Sequence, residues 1–305
     1  MEQFDAAATA RALGFPALIA ALERMFIAGC DVPARHVHAV GDTLTTLVMP
    51  AWQPGRYFGL KVVHVAPGNA ALGLPGLFAT YQLFDARTGA PLALIDGGEI
   101  TARRTAAASA LAASRLARAD ARRLLIVGAG RVGSLLAPAY RAVRTIDDVM
   151  VWSRDPRSAL RLVLRLAAAG VPARMVEDLA AAAATADIVS CATLSAEPLI
   201  QGAWLAPGTH LDLIGGFTPA MREADDACFA GADVWVDTDE ALAKAGDLLH
   251  PIEAGVLWRE DVRGTLADLC AHGPAPRTAA TRTVFKSVGT ALEDLAAAIL
   301  VYESR

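Results

Sequence analysis

Leu124-Leu125-Ile126-Val127-Gly128-Ala129-Gly130-Arg131-Val132-Gly133 is the stretch that decides the fold. Its apolar start, preceded by Arg123, reads as a short buried strand, and residues 131–143 read as a helix. Between them sits the pattern G-x-G-x-x-G. Gly128 permits a tight turn, Gly130 lets the backbone approach a pyrophosphate, and Gly133 lets the helix pack closely on the strand; Ala129, Arg131 and Val132 complete the loop. The helix N-terminus then offers N–H groups and a partial positive charge to phosphates. The glycine pattern by itself is weak, and a purely structural glycine turn competes with it. The strand before and the helix after supply the context that a dinucleotide site requires.

Outward from this loop the chain alternates. Asp148 to Trp152 reads as a strand, 156–169 as a helix, Val171 to Val176 as a strand, Asp178 to Ala184 as a helix, and Asp187 to Thr193, His210 to Ile214 and Val234 to Val236 as strands. Short apolar strands alternating with helices predict an α/β, doubly wound parallel sheet of the Rossmann kind. The second strand runs into Ser153-Arg154, where an NAD enzyme usually carries an acid for the ribose 2′-hydroxyl. A hydroxyl and a guanidinium suit a 2′-phosphate instead, which favours NADPH; Asp155, one step on, leaves NADH open. Thr193 and Ile214 end the fourth and fifth strands and therefore face the cofactor crevice.

Before this region lies a different texture. Residues 5–30 read as a helix capped by Asp5, and Pro33 to about Leu94 as strands punctuated by Gly and Pro clusters, with a hairpin around Thr88-Gly89. An Ala-rich helix follows from Thr101 to Arg118, and from about Thr283 the chain reads as helical to Tyr302. The predicted division is a second, α+β domain from 1–117 with 280–305, and a dinucleotide domain over 118–279.

Composition excludes several classes. The 305 residues suffice for two cores. No uninterrupted apolar run reaches spanning length, and the acidic start Met1-Glu2-Gln3-Phe4-Asp5 lacks a basic leader region, so no membrane and a cytoplasmic location are expected. A net charge of −4 offers nothing to a phosphate backbone, so no nucleic acid is expected. Cys30, Cys191, Cys228 and Cys270 are dispersed without a C-x-x-C, which speaks for reduced thiols and against a metal site.

The flanking segments resemble the ornithine cyclodeaminase and mu-crystallin family over nearly the whole chain. The likeness rests on Met49-Pro50, Lys61 with Pro67-x-Asn69, Gly73-Leu74-Pro75, Leu83-Phe84-Asp85-x-x-Thr88-Gly89, Thr101-Ala102-Arg103-Arg104-Thr105-Ala106, and Thr283-Val284-Phe285-Lys286-Ser287-Val288-Gly289 with Glu293-Asp294. The resemblance implies a homodimer, and a substrate carboxylate held by Arg35, Lys61 and Arg104, with Arg104 also on the cofactor side. It implies that Lys286, Ser287 and Val288 lie near the nicotinamide. His36 and His38 alternate around Val37 close to Arg35, which makes them candidates for lining the pocket or supplying protons; satisfied structural histidines are the bland alternative, as solvated or salt-bridged bases are for the three cations.

Two departures bear on the reaction. Cyclodeaminases of the family carry a catalytic Asp in G-[GA]-D-x-P, and here the segment is Gly215-Gly216-Phe217-Thr218-Pro219. Phe217 cannot exchange protons. Gly76 stands where the cyclodeaminase pattern has Thr. With Pro219-x-Met221-Arg222-Glu223, these features resemble the ketimine reductase branch, which implies NAD(P)H-dependent reduction of a cyclic imino acid, Δ1-pyrroline-2-carboxylate or Δ1-piperideine-2-carboxylate. Phe217 would then wall the pocket, and Lys61 could serve as the acid. The competing readings are ornithine cyclodeaminase, an alanine-dehydrogenase-like enzyme, and a non-catalytic NADPH-binding crystallin-like protein.

Overall fold

In chain order the elements of the computed structural model, which describes residues 1–304, are β1 (Glu2–Phe4), α1 (Ala6–Ala12), α2 (Phe15–Ala28), β2 (His36–Val40), β3 (Leu44–Gln53), β4 (Tyr57–Val65), β5 (Leu77–Asp85), β6 (Pro91–Asp96) and α3 (Gly97–Leu116). Then come β7 (Arg123–Val127), α4 (Gly133–Arg141), β8 (Asp148–Trp152), α5 (Pro156–Ala168), β9 (Ala173–Met175), α6 (Leu179–Thr185), β10 (Ile188–Cys191) and β11 (His210–Leu213). β12 (Asp233–Val236), α7 (Ala241–Lys244), α8 (Gly246–Glu253), β13 (Val262–Thr265), α9 (Leu266–His272), β14 (Thr283–Lys286) and α10 (Ala291–Glu303) complete the chain. Two compact units result: Met1–Arg104 with Thr290–Arg305, and Thr105–Gly289. The divisions fall inside α3 and just after β14, so the second unit runs further at both ends than the 118–279 expected.

The first unit carries a sheet in the order β1-β6-β5-β4-β3-β2, antiparallel except for β1 beside β6. Cross-strand register lines Met49, Lys61, Tyr81 and Ile95 in one row, all buried on the face against which α10 packs. Successive residues of a strand point to opposite faces. Val48, Val62, Pro50, Leu60, Trp52, Phe58 and Phe84 therefore share the other face, which stays only half-buried. The helix expected over 5–30 is two helices. Asp5 caps α1 through the Ala8 N–H at 2.8 Å, but Pro16 lacks the N–H that a continuous helix would need, and α2 restarts after Gly14.

The second unit is an all-parallel sheet in the order β13-β12-β14-β11-β10-β7-β8-β9. Strand order reverses between β7 and β10, the switch point at which doubly wound sheets bind ligands beyond their carboxyl ends. Residues Thr283–Lys286, expected to open a helix, form a central strand with all four residues buried. A short apolar run buried on both faces has no period that separates strand from helix. Among the described residues no single helix is long and apolar enough to cross a membrane. Cys191, Cys228 and Cys270 are buried free thiols, and Cys30 is partly buried.

Candidate active site

The glycine loop of the second unit is built for close approach. Gly128 adopts φ +106°, and a Cβ there would stand 2.6 Å from the Ala192 carbonyl oxygen. A Cβ on Gly133 would lie 1.9 Å from the Gly128 carbonyl oxygen, so α4 can start there only as glycine. Gly130 differs: nothing within 4 Å would meet its Cβ, and it is exposed. Gly128 and Gly133 thus serve the turn itself, whereas Gly130 leaves open the space that a pyrophosphate would use, which fits a dinucleotide. Ala129 and Val132 are half-buried and Arg131 exposed along the same loop.

At the end of β8, Ser153 is half-buried and Arg154 exposed; Arg154 Nη2 donates to Ser195 Oγ at 3.4 Å. Asp155 caps α5, accepting from Arg157 N–H at 3.1 Å and the Ser158 hydroxyl at 2.8 Å. Its Ser158 hydrogen bond leads the contacts that hold it below the usual carboxylate range. Asp155, the acid that follows β8, is therefore occupied with its own helix.

Buried carboxylates fix the neighbouring loops. Thr193 donates to Glu223 Oε1 through its N–H (2.6 Å) and its hydroxyl (2.7 Å), and Gly215 N–H donates to Oε2 (2.6 Å). Asp247 Oδ1 accepts the N–H groups of Glu223 (2.7 Å) and Ala224 (3.1 Å), and its Oδ2 pairs with Lys286 Nζ at 3.0 Å. Burial pushes the Glu223 carboxyl up, against the pull of Lys286. Lys286, expected among the cofactor ligands, is fully buried with its side chain committed to this pair, where it supports the strand ends from within. Asp237 Oδ2 accepts the N–H groups of Val288 (2.8 Å) and Gly289 (2.6 Å), and Ser287 N–H donates to the Leu213 carbonyl at 3.1 Å. Ile214 is buried, its N–H donating to the Cys191 carbonyl at 2.9 Å, and Phe217 is 41 % exposed on the loop beyond β11.

The first unit holds a compact cluster of charge. Lys61, 1 % exposed, pairs with Asp294 Oδ2 at 2.5 Å and donates to Thr101 Oγ1 at 3.3 Å. Arg104 donates from Nε to Asp294 Oδ1 at 2.9 Å and from Nη1 to Glu293 Oε2 at 2.7 Å. Burial lowers Lys61 from 10.5 to about 8; Asp294 opposes the fall, and Arg104 and Arg35 add to it. Burial also pushes the Asp294 carboxyl up, but Lys61 and Arg104 together hold it below the usual range. Arg35, half-buried just before β2, belongs to this field. Lys61 and Arg104 thus meet on one carboxylate, and Arg35 lies close enough to act on Lys61.

His36 and His38 do not join them. Their rings stack at 6.3 Å, on one side of β2 as expected, but His36 pairs with Val48 and His38 with Thr46, on the face opposite Lys61. Both are exposed edge-strand residues. Register decides the face, and a sequence pattern with period two does not reveal which face is which.

The residues that sequence reasoning missed are carboxylates: Asp294 and Glu293 entered only as a motif match, Glu223 likewise, and Asp237 and Asp247 not at all. Asp212 was also missed. It accepts from Ser109 Oγ (3.0 Å), Tyr140 Oη (2.9 Å) and Ser190 Oγ (2.5 Å), and burial raises its pKa to about 6 against those hydrogen bonds. An acid inside an apolar strand, as in His210-Leu211-Asp212-Leu213, was the available signal.

A doubly wound sheet with an open phosphate loop at its switch point, in a chain whose other unit carries a buried cluster of cations and carboxylates, defines the class: a nicotinamide-dinucleotide-binding protein. Residues 11–305 match the ornithine cyclodeaminase/mu-crystallin family, and the chain belongs to that family. It is 45 % identical over 264 residues to a Δ1-pyrroline-2-carboxylate reductase of Paracoccus denitrificans, covering 86 % of this chain and 84 % of the relative. Among solved structures it resembles the Δ1-pyrroline-2-carboxylate reductase of Thermococcus litoralis in complex with NADH and L-proline, with TM-score 0.94, 32 % identity, and 99 % and 97 % of the two chains covered. An archaeal alanine dehydrogenase dimer with bound NAD matches at TM-score 0.92 and 28 % identity, over 99 % and 95 % of the chains.

Proposed function

We propose that this protein reduces a cyclic imino acid, Δ1-pyrroline-2-carboxylate or Δ1-piperideine-2-carboxylate, to L-proline or L-pipecolate with NAD(P)H. The observation that carries the reading is the presence in one chain of a cationic cluster, Lys61, Arg104 and Arg35, and of an acid-free loop, Gly215-Gly216-Phe217-Thr218-Pro219. Cations suit the carboxylate on the imine carbon. Phe217 offers an apolar wall and no proton, so loss of ammonia from an amino acid lacks its acid. Glu223 does not replace that acid, because it is fully buried and its oxygens hold Thr193 and Gly215. The dinucleotide, when bound, supplies hydride to the imine carbon. Lys61 can give a proton to the ring nitrogen, and a ring imine already protonated by water needs none.

NADPH is the favoured cofactor: Ser153 and Arg154 suit a 2′-phosphate, and Asp155 is occupied as a helix cap. A homodimer is the proposed assembly. Its support is the half-buried apolar sheet face around Trp52, Phe58, Leu60 and Phe84, an area of the kind that subunit interfaces cover. Light scattering on the purified chain tests this, with twice the mass of one 31.8 kDa chain expected.

Initial rates test the activity. Each imino acid is offered with NADPH and with NADH, beside L-ornithine with NAD⁺ and pyruvate with ammonia and NADH. Fast reduced-cofactor loss with a cyclic imine, and no ammonia from ornithine, is expected. Ammonia and proline from ornithine without imine reduction overturns the reading, and so does turnover confined to pyruvate.

A further inference from the structure

Two adjacent acids open α10, and they do not act alike. Acids in a first helical turn commonly just complement the helix dipole. Here Glu293 and Asp294 are both fully buried, and each is bonded to a cation. Asp294 places one oxygen 2.5 Å from Lys61 Nζ and the other 2.9 Å from Arg104 Nε. Glu293 bonds Arg104, at 2.7 Å, and not Lys61. One carboxylate thus ties together the two side chains assigned above to the substrate carboxylate.

We propose that Asp294 is the positioning residue of the carboxylate site, holding Lys61 Nζ and Arg104 Nε at the mutual spacing that one substrate carboxylate needs, while Glu293 orients Arg104 and leaves Lys61 untouched. This rests on the reading of Lys61 and Arg104 as the substrate clamp. The groups facing Lys61 are Asp294 from α10, Arg104 and Thr101 from α3, Arg35 ahead of β2, and Tyr81 directly across on β5. Of these only Asp294 is an acid in contact with it. Removing that charge leaves two cations and burial acting on Lys61, so its proton is lost at lower pH. Removing Glu293 leaves the surroundings of Lys61 as they are.

The test is L-proline binding, measured by calorimetry with the reduced dinucleotide present, from pH 6 to pH 9.5, alongside kcat/KM for the imine. In the wild type both fall above about pH 8 as Lys61 deprotonates. Asp294→Asn should weaken L-proline binding by about 100-fold, because breaking one partner of a buried pair is strongly unfavourable, and should move the fall to lower pH by at least about one unit. Glu293→Gln should weaken binding by roughly 5-fold with the fall unmoved. Should Asp294→Asn not fold, Asp294→Glu, which keeps the charge and shifts both contacts, should weaken binding and leave the fall in place. Wild-type-like binding in Asp294→Glu, or an unmoved fall in Asp294→Asn, overturns the assignment. A wild type that neither binds L-proline nor reduces the imine fails the functional reading itself, a result distinct from the other two.

Discussion

Both units bury carboxylates that their folds could have exposed, yet the two sets do different work. In the first unit Asp294 and Glu293 bind cationic side chains, Lys61 and Arg104. In the second, Glu223 and Asp237 bind backbone N–H groups at the ends of β10, β11 and β14, and Asp247 binds those of Glu223 and Ala224, with Lys286 as its buried counter-charge. The contrast teaches where chemistry and scaffold separate. Carboxylates on side-chain cations leave those cations able to move or titrate, and the cluster stays responsive to substrate and pH. Carboxylates on the backbone fix loop shape, and their loss should be felt first as stability and cofactor affinity.

The comparison breaks most visibly at Lys61. Lys61→Met leaves one oxygen of Asp294 without its cation, and kcat/KM for the imine should fall about 1000-fold, on the order of the 3–5 kcal/mol lost when a buried pair is broken; steady-state kinetics with a thermal melt as control measure it. Next comes the loop. Gly130→Val should leave the melting temperature in place but weaken dinucleotide binding roughly 100-fold, since the new side chain enters only ligand space. Gly133→Ala, whose Cβ would meet the Gly128 carbonyl oxygen, should lower the melting temperature. Fluorescence titration and calorimetry separate the two.

Glu223→Gln sharpens the scaffold side. The amide keeps one acceptor but presents an NH₂ to N–H groups, so stability should drop by about 1.5–3 kcal/mol for hydrogen bonds to a charged group, with KM for the dinucleotide rising and the pH at which imine turnover fades unchanged. The smallest effect is expected at Arg154. Arg154→Ala should cut the kcat/KM ratio of NADPH to NADH by about 5-fold, the scale of a solvent-exposed charge pair. A ratio that already favours NADH in the wild type contradicts the cofactor preference.

These two regions were unequally legible in the sequence. The dinucleotide unit announced itself because the phosphate loop is local: strand, glycines and helix follow one another, and steric need fixes the residue types. The cations of the first unit were legible through family likeness. Their anionic partners were not, because Arg104 and Asp294 lie 190 residues apart and no local pattern says which acid meets which base. β14 hid for another reason, since four residues buried on both faces carry no alternation. His36 and His38 showed their shared side correctly while concealing that it is the wrong face for Lys61. Lys286 sat on the family segment near the nicotinamide, but a lysine in a buried strand must find an acid, and it found Asp247.

The most direct measurement follows the hydride. The enzyme is supplied with Δ1-pyrroline-2-carboxylate and NADPH deuterated at the nicotinamide C4 on the transferred face, and the product is separated on a chiral column and weighed by mass spectrometry. Reduction of the imine carbon yields L-proline with one deuterium at Cα, none of it in Lys61→Met on the same timescale. Proline lacking deuterium, or the absence of proline while ornithine releases ammonia, contradicts the account.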